Sequence, residues 1–393
     1  MPSCGRKLLL TGLGQCNITH EGDIRHFHDH YGDNGAFLRP ALLNFTNLDL
    51  IAFFEERGIP MEIEESGKVF PRSRKASDIL DRLLSECSAD DVDVRCGERV
   101  KTVTVEKDSF SVVSDQSTYP ATFLVIATGG ASYPLTGSTG DGYRLAESLG
   151  HTVASPAPAL APLYPENYPF SRLAGISFKD AVLTLLRQGK LLREMHGDLL
   201  FTHRGLSGPG ILHMSRYVQC GDELRVAFLP AMHEGDLARI LTEAAATRGQ
   251  RQVKSFLTSY NLPARFVVCM LAVADIPETR TLAQLTKKER ERLVTGITAY
   301  PFRVEHVGGY EEAMITRGGI VLREVSPKTM ESRLKSHLYF IGEVLDVDGD
   351  TGGYNLQAAF STASLAARDI TAKMENPENA RQETITRRIR ESR

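Results

Sequence analysis

The chain has 393 residues, 42% of them hydrophobic and 24% charged, with a formal net charge of −3 and a pI near 6.4. That is an ordinary globular composition with room for two or three domains, and its charge gives no reason to expect a nucleic acid as partner. No apolar run reaches the roughly 18 residues a membrane span needs, and six scattered cysteines without a C-x-x-C point to a reducing cytoplasm.

Near the start, Arg6-Lys7-Leu8-Leu9-Leu10 reads as a strand; the apolar stretch is short for a signal peptide and lacks a small-residue cleavage site. Gly12-Leu13-Gly14-Gln15-Cys16-Asn17 imitates a dinucleotide fingerprint and fails it. Asn17 replaces the third glycine, no apolar helical period follows, and no second strand ends in an acidic residue about 20 positions later. Cys16 is a candidate redox or nucleophilic thiol, with a small packing residue as the simpler account. Cys16, His20, His26, His28 and His30 invite a metal reading. They lack the paired-cysteine spacing of structural zinc sites, so a solvated histidine-rich loop is expected and no metal.

Asn47 is placed to cap a helix ending at Gly58, and Ala76–Cys87 sets Ile79, Leu83 and Leu84 on one helical face. Val100–Val113 reads as a hairpin in which Val103 and Val105 answer Phe110 and Val112. Phe123–Ala127 is a continuous apolar strand of the kind buried in parallel sheets. It runs into Ala127-Thr128-Gly129-Gly130, where glycines permit close approach to a ligand and Thr128 offers a hydroxyl. The loop Thr136–Gly142 lacks the Lys-Ser/Thr ending of a P-loop, and Asp141 can cap the helix after it.

From His151 the pattern becomes β-like, with a hairpin expected around Gln188-Gly189. Gly197–Pro209 is the candidate substrate segment: His203 could relay a proton and Arg204 could hold an anion, and a domain-joining turn explains both equally well. Helices dominate Gly235–Gly296, with Pro263 in a helix first turn, and β character returns from Phe302 to Val325.

Leu338–Ala367 is the most informative stretch. An apolar run ends at Gly342; Glu343, Asp346, Asp348, Gly349, Asp350, Gly352 and Gly353 follow; then a helix of small residues begins. That is a strand, a loop and a helix N-terminus, whose backbone N–H groups suit an anion or an electron-rich ring edge.

Five segments, in order, resemble the YhiN/BaiN-type NAD(P)/FAD-dependent oxidoreductases, also described as aminoacetone-oxidase-family FAD-binding flavoproteins. They are GRKLLLTGLGQCNIT, ATGGASYPLTGSTGDGY, GDLLFTHRGLSGPGIL, GIVLREVSPKTMES and GEVLDVDGDTGGYNLQ. The resemblance implies FAD near Gly12, Gly14, Cys16, Asn17, Ala127, Thr128, Gly129, Gly130, Gly342, Glu343 and Asp346. It also implies Gly352, Gly353, Tyr354, Asn355 and Leu356 at the helix start by the flavin pyrimidine edge. Leu13 and Gln15 depart from the family's glycine and arginine, and the family's first G-x-G-x-x-G βαβ unit would lie upstream of Gly5. The chain is therefore expected to be a family member without that unit.

The expected fold class is α/β. A discontinuous, N-terminally truncated Rossmann-like FAD domain spans 1–150 and 335–372, a β-rich inserted domain 151–234 and 297–334, a helical subdomain 235–296 and a polar tail 373–393. The expected function is transfer of hydride between NAD(P)H and a small unsaturated or carbonyl substrate through FAD, in the cytoplasm. The alternative is a truncated, degenerate or mis-started homologue serving as a binding or assembly module. No catalytic residue is assigned beyond the candidates Cys16, His203 and Arg204, and neither the substrate nor the oligomeric state is legible.

Overall fold

The computed structural model describes residues 1–107 and 109–375, and the chain forms two compact units. One comprises Met1–Pro158 and the chain from Met314 onward; the other is the continuous stretch Ala159–Ala313. No helix among the described residues is long and apolar enough to cross a membrane.

The discontinuous unit starts with 3-10 turns over Leu8–Gly14, not the expected strand. Gly12 and Leu13 take φ of 56° and 57°, a left-handed pair that an extended strand does not accommodate. Strand β1 (Thr19–His20) follows, then further 3-10 turns, α1 (Arg39–Asn44) and α2 (Asn47–Glu56). The cap of α2 is Thr46 rather than Asn47. Its hydroxyl accepts the Asp49 N–H while the Asp49 carboxylate accepts the Thr46 N–H, a reciprocal capping box. Strands β2 (Met61–Ile63) and β3 (Lys68–Pro71) join β1 in an antiparallel sheet of order β1-β3-β2, and α3 (Ala76–Ala89) packs near it. Cys16, Ile18, Leu50, Phe54, Val69 and Ile79 make the local core.

Strands β4 (Val100–Glu106) and β5 (Ser109–Ser114) form the expected hairpin, with Val103 opposite Val112 and Val105 opposite Phe110. A third strand, β6 (Thr118–Ala121), extends it. Strand β7 (Leu124–Ile126) comes next. Helix α4 (Asp141–Ser148) has Gly140 at its cap position, and Asp141 sits inside, accepting from Arg99 at 3.0 and 2.6 Å. Strand β8 (Val153–Ala159) leads out of the unit.

The second unit is built on a closed barrel of order β10-β11-β12-β9-β14-β13. Its strands are β9 (Leu163–Pro165), β10 (Ser177–Arg187), β11 (Lys190–Phe201), β12 (Leu206–Ser207), β13 (Glu223–Ala227) and β14 (Tyr300–Val307), with α5 (Pro209–Ser215) against β11. The β10–β11 hairpin turns on Gln188 (φ 51°) and Gly189 (φ 76°), the left-handed pair that a two-residue hairpin loop requires. Helices α6 (Glu234–Thr247), α7 (Val253–Thr258), α8 (Ala264–Val273) and α9 (Lys287–Thr298) bury Leu241, Phe256, Phe266 and Leu293 in the same core as barrel residues Leu183, Phe201 and Val226. The helical stretch 235–296 is thus no separate subdomain, because its apolar faces close on the barrel. Pro263 is the cap of α8 (ψ 133°), one position before the first turn.

The chain rejoins the first unit earlier than 335. Strand β15 (Ile315–Ile320) pairs with β8, so residues 314–334 belong with the discontinuous unit rather than the β-rich one. Strand β16 (Leu338–Phe340) then runs parallel to β7, Leu338 opposite Leu124 and Phe340 opposite Ile126. Among the described residues β7 and β16 make a two-stranded sheet, and Val125 is 38% exposed, so β7 is not the fully buried strand its composition suggests. Helix α10 (Tyr354–Glu375) closes the described chain; of the expected tail 373–393, residues 376–393 lie outside it.

Candidate cofactor site

Parallel pairing brings the carboxyl ends of β7 and β16 to one edge, where crevices of open α/β sheets bind ligands. Ala127–Gly130 leaves from one strand and Ile341–Glu343 from the other. Glu343 is the hub. One carboxylate oxygen lies 2.8 Å from Lys7 Nζ; the other accepts the Thr316 N–H at 2.9 Å and faces the Ser132 hydroxyl at 3.2 Å. Lys7 also donates to Ser132 Oγ at 2.7 Å, and Thr316 Oγ1 accepts the N–H groups of Ala131 and Ser132 at 2.8 and 3.1 Å. A Cβ at Gly130 would fall 2.5 Å from Thr316 Oγ1 and 2.7 Å from Glu343 Oε1, so glycine is required for this closure. Beside β7 lies a cavity of about 400 Å³ lined by Val103, Leu124, Val125, Ile126, Thr128 and Leu145, within the size range of small-molecule sites.

The third element is the turn before α10. Gly352 and Gly353 have φ of 120° and 99°, and a Cβ at Gly353 would strike the Thr19 carbonyl. Asn355 braces the preceding loop, accepting the Gly349 N–H at 2.8 Å and donating to the carbonyls of Gly349 and Asp350. Its side chain is therefore committed to the turn. Leu356 packs on the core around Cys16 and is a packing residue. The Asp346 backbone bridges Ile320 O and Asn34 Nδ2, and burial raises its carboxyl above the usual range, opposed by bonds from Asn34 and Gly318 and the charge of Arg317.

The remaining predicted positions separate. Cys16 has no exposed surface; burial pushes its thiol up to about 11, opposed by Thr11, so it is a packing residue and not a thiolate nucleophile. Asn17 accepts the Val69 N–H at 3.2 Å and Gly12 packs against Asn17 and Phe70, so both shape the loop, while a Cβ at Gly14 would meet only the Leu9 carbonyl, at 3.9 Å. Beside Gln15 lies Arg74, 3.4 Å away, already paired with Glu62 and Glu64. His203 and Arg204 lie in the barrel unit, on a turn whose Thr202 hydroxyl bonds Gly205 N and O, with Arg204 over the Tyr164 ring. Among the described residues no group of three or more potential ligands is arranged for a metal.

Sequence reasoning missed Lys7, Ser132 and Thr316 as site members. It also missed the pairing of His30 with Asp350 at 3.2 Å.

The residues fit the ring and ribityl portion of a flavin. Glu343 can accept from hydroxyls, and the turn at Gly352–Gly353 precedes a 22-residue helix. The pyrophosphate turn G-x-G-x-x-G does not occur in this sequence.

Curated relatives match most of the chain. A 3-dehydro-bile acid delta(4,6)-reductase of Clostridium scindens is 32% identical over 371 residues, 93% of this chain and 89% of the relative. Ribosomal RNA dihydrouridine synthases of Escherichia coli and Haemophilus influenzae are each 34% identical, over 378 and 374 residues, about 90% of each relative. Residues 1–369 match the HI0933-like protein Rossmann domain, and the chain belongs to that family.

Proposed function

We propose that the chain is an FAD-dependent reductase of a carbon–carbon double bond conjugated to a carbonyl, drawing electrons from NAD(P)H and acting on a small molecule. The observation that carries this reading is the parallel pairing of β7 and β16, which sets Ala127–Gly130 and Gly342–Glu343 at one sheet edge, with the Gly352–Asn355 turn in the same unit. The relatives' names supply the chemistry. A 3-oxo-4,6-diene and the 5,6 double bond of uridine are both conjugated to a carbonyl, and both named reactions add two hydrogens across carbon–carbon double bonds.

When bound, the flavin supplies a two-electron store from which hydride leaves. Glu343 would hold the ribityl hydroxyls, with Lys7 balancing its charge. The N-terminus of α10 at Gly352–Tyr354 would face the ring's pyrimidine edge, where the helix dipole favours negative charge. Thr128–Gly130 would border the ring from the other strand. Six free cysteines agree with a reducing cytoplasm. A purely structural, non-catalytic role is less well supported, because the match to a reductase-named relative covers 93% of the chain.

The test is direct. Purified protein mixed with FAD should develop a bound oxidised-flavin band that NADH or NADPH bleaches under anaerobic stopped flow. Protein that stays colourless in excess FAD would refute the reading.

A further inference from the structure

Three cysteines of the discontinuous unit, far apart in sequence, come together in space. Gly5 takes a left-handed φ of 69°, and a Cβ there would strike the Leu80 side chain of α3. Cys87 lies about two turns further along the same face of α3. Beyond α3 the chain turns at Asp91 (φ 55°) and comes back to the first residues, where the Gly97 N–H donates to the Met1 carbonyl at 2.5 Å. Cys4 directly precedes the first of these anchors, Gly5, and Cys96 the second, Gly97. The two side chains meet as a hydrogen-bonded pair, and Cys87 is near enough to act on Cys4 through its charge.

The three differ in access. Cys96 is exposed, whereas Cys4 and Cys87 are half-buried. The other cysteines are elsewhere: Cys16 has no exposed surface, and Cys220 and Cys269 belong to the barrel unit. Burial raises the Cys4 thiol above its ordinary range, and the Cys96 and Cys87 thiols raise it further, against the opposing effect of its own backbone bond. Cys4 therefore keeps its proton at neutral pH, and Cys96 is the sulfur that a dissolved oxidant meets first. Thiols within hydrogen-bonding reach need chiefly side-chain rotation to close to an S–S bond of about 2.05 Å.

We propose that Cys4 and Cys96 are a redox-sensitive pair that hydrogen peroxide converts to a disulfide, clamping the Met1–Gly5 segment onto the residues before β4. The Cys96 sulfur, having released its proton to water, attacks one peroxide oxygen; the O–O bond breaks, leaving a sulfenic acid and hydroxide. The Cys4 sulfur then attacks the Cys96 sulfur. The S–S bond forms, the S–O bond breaks, and the departing hydroxide takes the Cys4 proton to become water. Two electrons pass from sulfur to oxygen, and the net change is two thiols and one peroxide to one disulfide and two waters. A dithiol reverses it by exchange. The clamp adjoins the site on two sides. Lys7, which holds Glu343, follows Cys4 closely, and Met1, Glu98 and Arg99 line the cavity beside β7. The bridge would close a loop of about 90 residues, long enough for a cross-link to restrain the unfolded chain strongly.

The test uses the full chain, reduced, freed of reductant, treated with a small excess of hydrogen peroxide and quenched with catalase. Free thiols are then alkylated and the tryptic peptides weighed without reduction. The expected product links the Cys4 and Cys96 peptides, is two hydrogens lighter than their sum, disappears with dithiothreitol and leaves Cys87 alkylated. Oxidation should raise the melting temperature of wild type and of Cys87→Ser by roughly 5 °C or more, and leave Cys4→Ser and Cys96→Ser unmoved. In Cys4→Ser, dimedone should trap the stranded Cys96 sulfenic acid. A bridge to Cys87, a link between two chains, or Cys4 and Cys96 both alkylated after oxidation would overturn the pair. Bridged wild type that melts where the reduced protein does would overturn the clamp. No step involves the flavin, so the reductase reading and the redox pair stand or fall separately.

Discussion

Glu343 joins three chain segments through one carboxylate, so neutralising it should act on several bonds at once. Glu343→Gln keeps the shape but removes the charge that Lys7 faces at 2.8 Å. Flavin affinity should fall roughly 10- to 100-fold, the scale of one or two charge-assisted hydrogen bonds, as read by FAD titration of the visible spectrum. Cys16 offers the opposite case. Its thiol is fully buried and raised to about 11, so native protein should react with iodoacetamide at its exposed cysteines, and Cys16→Ser should leave flavin reduction unchanged; loss of reduction with the fold intact would restore a thiol role. The carboxylate was legible in the sequence because a strand, an acidic glycine-rich loop and a helix follow one another locally. Its partners were not. Lys7 lies 336 positions away and Thr316 sits in another strand, β15, so no spacing rule connects them. Cys16 was ambiguous for a related reason: burial is a property of what packs on a residue, and Leu50, Ile79 and Leu356 come from three other segments.

Local rules worked where an element's own residues decide it. The β4–β5 register follows from alternation alone, and the Gln188-Gly189 turn from the left-handed freedom that a two-residue loop demands. The cap of α2 was misplaced by one residue although the Thr46-x-x-Asp49 box was there to be read. Thr46→Ala should cost about 1 kcal/mol by denaturant titration, and Asn47→Ala should act differently, through lost bonds to the carbonyls of His20 and Gly22. The apolar stretch Leu8–Leu10 failed as a strand because propensity is a preference for a half-buried pleat, and here two left-handed residues follow it. Closure of the strand ends depends equally on backbone. Gly130→Ala would push a methyl into Thr316 and Glu343, destabilising the protein by roughly 1–3 kcal/mol and weakening flavin binding with it; an unchanged melting temperature would show that the node can give way.

The two units differ in how the chain builds them, and their stabilities should separate. The barrel unit is one continuous stretch with its own core, so residues 159–313 alone should unfold cooperatively in a calorimeter. Its Arg187–Asp222 pair gives it a specific acid response. Burial would raise the Asp222 carboxyl, but the bonds from Arg187 and from Gln219 N outweigh this and leave it below its ordinary value. A depressed folded-state value contributes stability above the unfolded carboxylate pKa, near 3.9, and loses it as pH falls through the lower folded value. Asp222→Asn should therefore destabilise the fragment by roughly 1–3 kcal/mol at pH 7 and by progressively less below about pH 4. The discontinuous unit has a different history, written in the order of synthesis. Strand β7 is made long before β16, and Lys7 precedes Glu343 by 336 residues. At ribosomal speeds of about 5–20 residues per second, the first half of the site waits roughly 17 to 67 seconds for its other half. During that interval the barrel can fold while β7 and the loop from Lys7 stand unmatched, so nascent chains of this protein are expected to depend on chaperones until the final helix emerges.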